Sequence, residues 1–515
     1  MARVEQSRPA QNPGDRRRES RRRVHEYRRF LRFSAIGTLI PGVGLIAAGR
    51  RRSGWFVLGL VLAGFAAVIV FTVRNGVSGL IDVGTDTRLL RVLGYGLMIV
   101  AILWLVTAVV SMRVLEPDHL NGGQRLLAAF IVVLVGSLVV GPLALASRNS
   151  FAQRDLIGSV FADADEASLT VPEGPEEDPW ADLPRVNVML LGSDSGPGRD
   201  DTRTDTVMVA SIDTTTGETI LFALPRNLLN LPFPDGPLHQ AYPEGFSGEP
   251  ASEFWLSSVY LNVPAAHPEV FEGIQDPGAE ALKLGVGAAL GLDIHYYVMV
   301  NLRGFDSLVT ALGGIDVDVP YRIPMGTKKS EVTGRCTEET GWIEPGENQH
   351  LNGYEALWFA RARCGPGKVS DDYERMRRQR CVIGAIAEKA DPIRLATSFQ
   401  QIASATKDLV STDIPQNRVG AFTELGLNVK NAGIRSLPFT DEIVNYEDPD
   451  YDEIRAYVAE ALRPTPSAPA SSSPSPSTSS PPPIGGAGSG SAGEPTDVPT
   501  APSESEGAQE LAAVC

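Results

Sequence analysis

Long runs without a charged side chain break up the first third of this chain, and polar stretches between them set the first boundaries. Three runs have the length and apolarity to cross a bilayer: 55–73, 92–112 and 126–146. A fourth, FSAIGTLIPGVGLIAAG over 33–49, is shorter and is interrupted by Pro41 and several glycines. Arginines flank it on both sides, in the tail 1–32 and again at 50–52. If both groups stay on the cytoplasmic side, 33–49 cannot cross, and it is expected to be re-entrant or interfacial. Three crossings then place everything after residue 147 outside the cell, giving a multi-pass membrane protein.

Beyond the membrane region 33–147 the period of the pattern changes. VNVMLL (186–191), TVMVASI (206–212) and TILFAL (219–224) are β-branched apolar runs of strand length, with DTTTGE as a turn between the last two. A hairpin centred between Thr215 and Thr216 places Asp205 opposite Arg226 at its open end. The stretches 278–292, 303–312, 352–362 and 371–390 read as helices, and YYVMV (296–300) and IDVDV (315–319) as strands. The mixture predicts a layered α/β domain over 184–463. Leu282, Leu290, Leu308 and Leu312 are expected to be core, with a lipid groove as the alternative use of those faces.

Composition settles the ends and the linker. Residues 1–32 carry eleven arginines against four acids, too much like charge to bury a core, and read as a basic cytoplasmic tail. Next to a membrane such a tail serves as a topology signal or lipid contact, so no nucleic-acid partner is expected. Eight acids and no base over 163–182 mark 148–183 as an acidic, solvated linker. The Pro/Ser/Gly-rich stretch 464–515 has too few large apolar residues to fold and is expected to be a disordered tail. Cys336, Cys364, Cys381 and Cys515 all fall in the outer part, where two of the first three could pair and leave one odd thiol. No CxxC pair supports a zinc site.

The chemistry gathers in two places. GSDSGPGRDDTRTDT (192–206) can bring Asp194, Arg203 and Asp205 together, a carboxylate pair suited to a hard cation that shares a phosphorylated ligand. A polar turn with Asx caps also accounts for this loop. RARCGPGKVSDDYERMRRQR (361–380) holds six arginines in a chain of formal net charge -16. On a helix starting at Asp371, Asp372, Arg375 and Gln379 share one face, Arg378 flanks it, and Arg377 and Cys381 point away. Arg361 and Arg363, two apart, would point the same way in an extended segment. Guanidinium forks match phosphate oxygens bidentately, so with Arg226 these residues look like a clamp for a diphosphate and a metal.

LLGSDSGPGRDDTRTDTVMVASID, ALPRN, YYVMVNLRGFDSLVTALGGIDVDVP, LNGYEALWFARAR and DDYERMRRQR, in this order, resemble the LytR-CpsA-Psr (LCP) family of cell-wall glycopolymer ligases. The resemblance spans most of 186–390 and implies an extracytoplasmic α/β/α sandwich with a mixed central sheet. It further implies a phosphotransferase that moves a glycopolymer from a polyprenyl diphosphate carrier onto peptidoglycan with Mg²⁺ or Mn²⁺. Asp194 and Asp205 match the metal-associated aspartates. Arg203, Arg226, Arg361, Arg363 and Arg375 match the diphosphate-binding arginines, with Gln379 their polar companion. Asp205, Arg226, Asp372 and Arg375 form the implied catalytic set, in which Asp372 is either the base for a muramic-acid hydroxyl or a partner orienting the arginines. Asn227 and Asn301 stand where the family pattern has Asp. Several membrane spans resemble actinobacterial members, for which arabinogalactan is the implied polymer. A polyprenyl diphosphate pyrophosphatase and a non-catalytic lipid-binding envelope regulator are the alternatives.

Overall fold

A computed structural model of the chain describes residues 13–163, 168–172, 175, 178–194, 203–327, 335–390, 410–463 and 508–511. Five helices come first: α1 (Pro13–Leu39), α2 (Val43–Ala47), α3 (Arg51–Thr85), α4 (Thr87–Leu115) and α5 (Gly122–Val160). Three of them, over Arg51–Gly76, Thr87–Leu115 and Gly122–Val160, are long and apolar enough to cross a membrane. Between α1 and α3 the chain doubles back through α2. The end of α1 packs against α4, where Trp104 donates its indole N–H to the Thr38 carbonyl at 2.8 Å. The reversal occurs at Gly42, whose φ is 95° and where a Cβ would lie 2.3 Å from the Gly54 carbonyl oxygen.

The rest of the chain opens with three antiparallel strands, β1 (Arg185–Ser193), β2 (Thr204–Asp213) and β3 (Thr219–Leu224). A short helix α6 (Pro237–Ala241) and two longer ones, α7 (Leu256–Ala266) and α8 (Pro277–Leu290), lead to β4 (Tyr296–Asn301) and α9 (Leu302–Ala311). Four short strands, β5 (Ile315–Val319), β6 (Ile323–Met325), β7 (Gly341–Ile343) and β8 (Gly346–Leu351), form two small sheets. Then come α10 (Gly353–Arg361), α11 (Asp372–Lys389), β9 (Val410–Thr412), α12 (Val419–Ala432), β10 (Ile434–Pro438), α13 (Tyr451–Ala461) and β11 (Gln509–Glu510).

The main sheet has the order β11-β10-β3-β2-β1-β4-β9. It is mixed, with β1 parallel to β4 and β10 parallel to β3. Alternation along the strands feeds both faces. Met189, Leu191, Val207, Val209 and Phe222 meet Val259 of α7 and Leu282 and Val286 of α8 in the largest core cluster. Met208, Ala210, Leu221 and Ala223 meet Met376 of α11 on the other face. The result is the α/β/α layering that the sequence implied, and Leu282 and Leu290 are fully buried in it.

Three sequence expectations change here. Helix α5 continues to Val160, and the following segment is held rather than solvated: Ala162 exchanges backbone hydrogen bonds with Ile414 and Gln416. Further along it, Ser168 and the Leu169 N–H donate to Glu280, and the Trp180 ring meets Phe422 edge-on. The α/β/α domain therefore rests on the long apolar helices, with Val419 packed against Leu90 and Ile157. Most of the expected tail 464–515 lies outside the described residues. Its stretch 508–511, however, returns to the domain as edge strand β11, and Leu511 is only 2% exposed against Met376. Its alternating character is too short to stand out from the polar sequence around it. Cys336 pairs with Cys364, and Cys381 is not an odd thiol: it is itself disulfide-bonded, and no cysteine is free among the described residues.

Candidate active site

The β2–β3 turn sets the register that builds the site. Asp213 caps it by accepting from the Thr215 and Thr216 N–H groups, and Val207 then pairs with Leu224. Two residues further out along each strand Arg226 and Asp205 face each other, Nη1 to Oδ1 at 2.9 Å, as the hairpin argument predicted. Asp205 has a second peculiarity. Gly192 pairs with Thr206 but Ser193 pairs with Thr204, so Asp205 is the extra residue of a β-bulge. A bulge bends the strand and re-aims the side chain it carries.

From this hairpin a chain of alternating charge runs to α11. Arg363 Nη2 meets Asp205 Oδ2 at 2.7 Å, and Arg226 Nε meets Asp372 Oδ2 at 3.2 Å. Asp372 Oδ1 then accepts from Arg375 Nη1, the i,i+3 pair expected on the helix. Three guanidinium groups thus surround two carboxylates, leaving the network net positive. Burial pulls the Asp205 carboxyl upward, but Arg363 and Arg226 outweigh it and hold it down to about 2. Burial also works against ionised Asp372, and Arg375 and Arg226 again prevail and lower its pKa. Burial, with Arg363 and Arg226 nearby, pushes Arg375 down to about 10 although Asp372 opposes the shift. Asp372 is therefore a firmly ionised bridge between two arginines, which suits orientation of Arg226 and Arg375 better than strong basicity.

The loop carrying Arg363 is fixed from both sides. Arg378 is 1% exposed, and its Nη2 donates to the Ala362 carbonyl at 2.7 Å. Cys364, on the other side of Arg363, is tied to Cys336. Sequence reading placed Arg378 beside the functional face but missed this part; the available signal was its position i+3 from Arg375 in a run of arginines. Arg361 does not join Arg363, because it is the last residue of α10 rather than part of an extended segment, and its guanidinium lies 5.0 Å from the Trp358 ring centroid. Arg203 turns to Glu253 at 3.3 Å, and its backbone N–H donates to Asp194 Oδ1 at 3.2 Å. Asp194 thereby sits at the base of the 195–202 loop, which lies outside the described residues. Gln379 is half-buried one turn beyond Arg375 and makes no bond to this network among the described residues. Asn301 caps α9 by accepting from the Gly304 N–H, a task for which Asn and Asp serve equally.

For a metal, the donor set is two carboxylates, Asp194 and Asp205, with no cluster of three or more ligand-type residues among the described residues. Mg²⁺ commonly takes one or two protein carboxylates and completes its shell with water and phosphate oxygens. Asp205 is held ionised, and each of its oxygens keeps a lone pair beyond the arginine bond, so the residues fit such a shared site.

Two cavities open in the domain, and only the smaller is lined by residues of the network. The larger, about 720 Å³, runs from Ser193 and Asn301 at the strand ends, past Tyr260, Leu261 and Met299, to Gly158–Asp163 at the C-terminal end of α5. The smaller, about 210 Å³, is bounded by Arg226, Asn227, Asp372, Tyr373, Arg375 and Tyr446.

Comparison with known proteins agrees with the motif order. Biofilm regulatory protein A of Streptococcus mutans is 24% identical over 296 residues, covering 57% of this chain and 63% of that protein. The polyisoprenyl-teichoic acid–peptidoglycan teichoic acid transferase TagU of Enterococcus faecalis is 25% identical over 283 residues, covering 52% and 76%. Among solved structures, a LytR-Csp2A-Psr enzyme from Actinomyces oris aligns with a TM-score of 0.37 at 16% identity, covering 58% of this chain and 95% of that one. The pattern of the LytR_cpsA_psr family matches residues 180–462, the α/β/α domain without its returning strand β11, and the chain belongs to that family.

Proposed function

We propose that this protein is a membrane-anchored phosphotransferase that moves a glycopolymer from a polyprenyl diphosphate carrier onto peptidoglycan outside the cell. The observation that carries this reading is the Arg363–Asp205–Arg226–Asp372–Arg375 chain at the strand ends, in a domain whose larger cavity runs from Ser193 and Asn301 to the C-terminal end of α5. Fixed guanidinium donors stabilise the charge that builds on phosphoryl oxygens at little reorganisation cost. Asp205 and Asp372 hold Arg363, Arg226 and Arg375 in register before the diphosphate arrives. The larger cavity would take the lipid side of the carrier, which enters from the bilayer. Mg²⁺ would be held by Asp194 and Asp205 and would neutralise phosphate charge. Relatives named as teichoic acid transferases support the reaction class. Arabinogalactan is the first polymer to try as donor.

A test that separates this from lipid binding without turnover uses Asp205→Ala and Arg226→Ala in the full-length protein. Both variants should lose polymer attachment to purified peptidoglycan while protein level stays normal. Wild-type protein that binds the polyprenyl diphosphate donor yet never consumes it, with or without Mg²⁺, would overturn the proposal in favour of an envelope regulator.

A further inference from the structure

We propose that Cys381 is joined to Cys515 in a second disulfide, which staples the returning segment 508–511 onto α11. This holds whatever reaction the domain performs. Cys381 is disulfide-bonded, yet Cys336 and Cys364 pair with each other, and the sequence holds four cysteines. Burial excludes a partner on another molecule, since Cys381 is 3% exposed within the cluster of Ile315, Phe359 and Val382. Cys515 is then the cysteine that remains. It lies outside the described residues, but the chain leading to it through Leu511 does not.

The leading segment brings Cys515 within reach. Strand β11 pairs with β10, Glu510 opposite Arg435 and Gln509 opposite Ser436. Ser436 accepts from Arg380 Nη1 at 3.3 Å, which ties β10 to α11 at the residue next to Cys381. Leu511 then lies against α11 itself: a Cβ on Gly384 would stand 3.1 Å from the Leu511 Cγ, so glycine makes room for the leucine there. Gly384 is three positions beyond Cys381, and residues at that spacing are neighbours on a helix, about 5–6 Å apart. Four residues separate Leu511 from Cys515 and span at most roughly 13 Å, enough for the two sulfurs to meet. Forming the bond takes two electrons and two protons from the two thiols. A disulfide-bearing oxidant outside the membrane, the compartment proposed for this domain, receives them and becomes a dithiol. The bond also accounts for why so short a strand stays in place. The contacts of β11 are a two-residue pairing and one buried leucine, set against the entropy of closing the stretch 464–507. A cross-link removes much of that entropy from the unfolded chain, so β11 remains on the sheet and braces the helix that carries Asp372 and Arg375.

Peptide mapping of the full-length protein, purified without reductant and alkylated with N-ethylmaleimide under denaturing conditions, tests the pairing. Cleavage after arginine and glutamate releases Cys381 within 381–388 and Cys515 within 511–515. The expected product is these two peptides joined by a bond that a reductant cleaves. Alkylated Cys381 or Cys515, or either of them joined to Cys336 or Cys364, overturns the proposal. Hydrogen exchange of Cys515→Ser, which leaves every residue of α11 in place, tests the bracing. Amide exchange at 508–511 should quicken by about tenfold or more while β1, β2 and β3 exchange as in the wild type. Exchange at 508–511 that matches the wild type would show that the strand holds without the bond, and would overturn the staple.

Discussion

Two ionic clusters lie within the same domain and obey opposite rules. At the strand ends three arginines surround Asp205 and Asp372, partly open to solvent, and Arg226, Asp372 and Arg375 line the smaller cavity. Beneath the segment entering the domain, Lys283 of α8 lies between Glu280 and Asp413 with its side chain fully buried. Asp413 also accepts from the Tyr297 N–H, and Ser168 joins through Glu280 and Lys283. The first cluster has a surplus of cation and spare donors; the second has one cation for two carboxylates. Burial raises the Asp413 pKa even against the pull of Lys283. The surplus at the strand ends is what a phosphate ligand can use, whereas the sealed cluster can only hold α8, β9 and the incoming segment together.

Removing the central cation from each cluster should therefore give unlike losses. Lys283→Met leaves two buried carboxylates unpaired and is expected to destabilise the domain by about 3–5 kcal/mol, read as a fall in the denaturant midpoint. Arg226→Ala is expected to cost the transfer step about 2.7–4 kcal/mol, or roughly 10²–10³-fold in kcat, while the midpoint shifts far less. A large stability loss in Arg226→Ala with an inert Lys283→Met would break the contrast. Leu511→Ala, which tests the returning strand, should cost about 2–5 kcal/mol if β11 belongs to the core, and near zero if it does not. The smallest effect concerns pH. The folded carboxyl of Asp205, at about 2, lies below its unfolded value near 3.9, so its contribution is full above that range and is lost as pH falls toward 2. Arg363→Ala should move this titration upward, as followed by carbon NMR of the carboxylate.

The hairpin, the Asp205–Arg226 pairing and the Asp372–Arg375 pairing were legible because local turn and helix geometry determine them. Arg361 misled because α10 ends on it, one residue later than an extended reading allows. The bulge at Asp205 leaves no mark in composition. The docking of Ser168 and Leu511 depends on partners more than a hundred residues away in the chain, Glu280 and Met376. Lys283 did leave a signal: it is a charged residue three positions from Glu280 in an otherwise apolar helix, the spacing of a buried ion pair.

The most direct measurement is the identity of the product. Wild-type protein incubated with a phosphorus-labelled polyprenyl diphosphate glycopolymer and peptidoglycan should yield a phosphodiester between polymer and muramic acid, seen by ³¹P NMR after muramidase digestion. Free polymer phosphate with no peptidoglycan adduct would contradict the account and identify a diphosphatase.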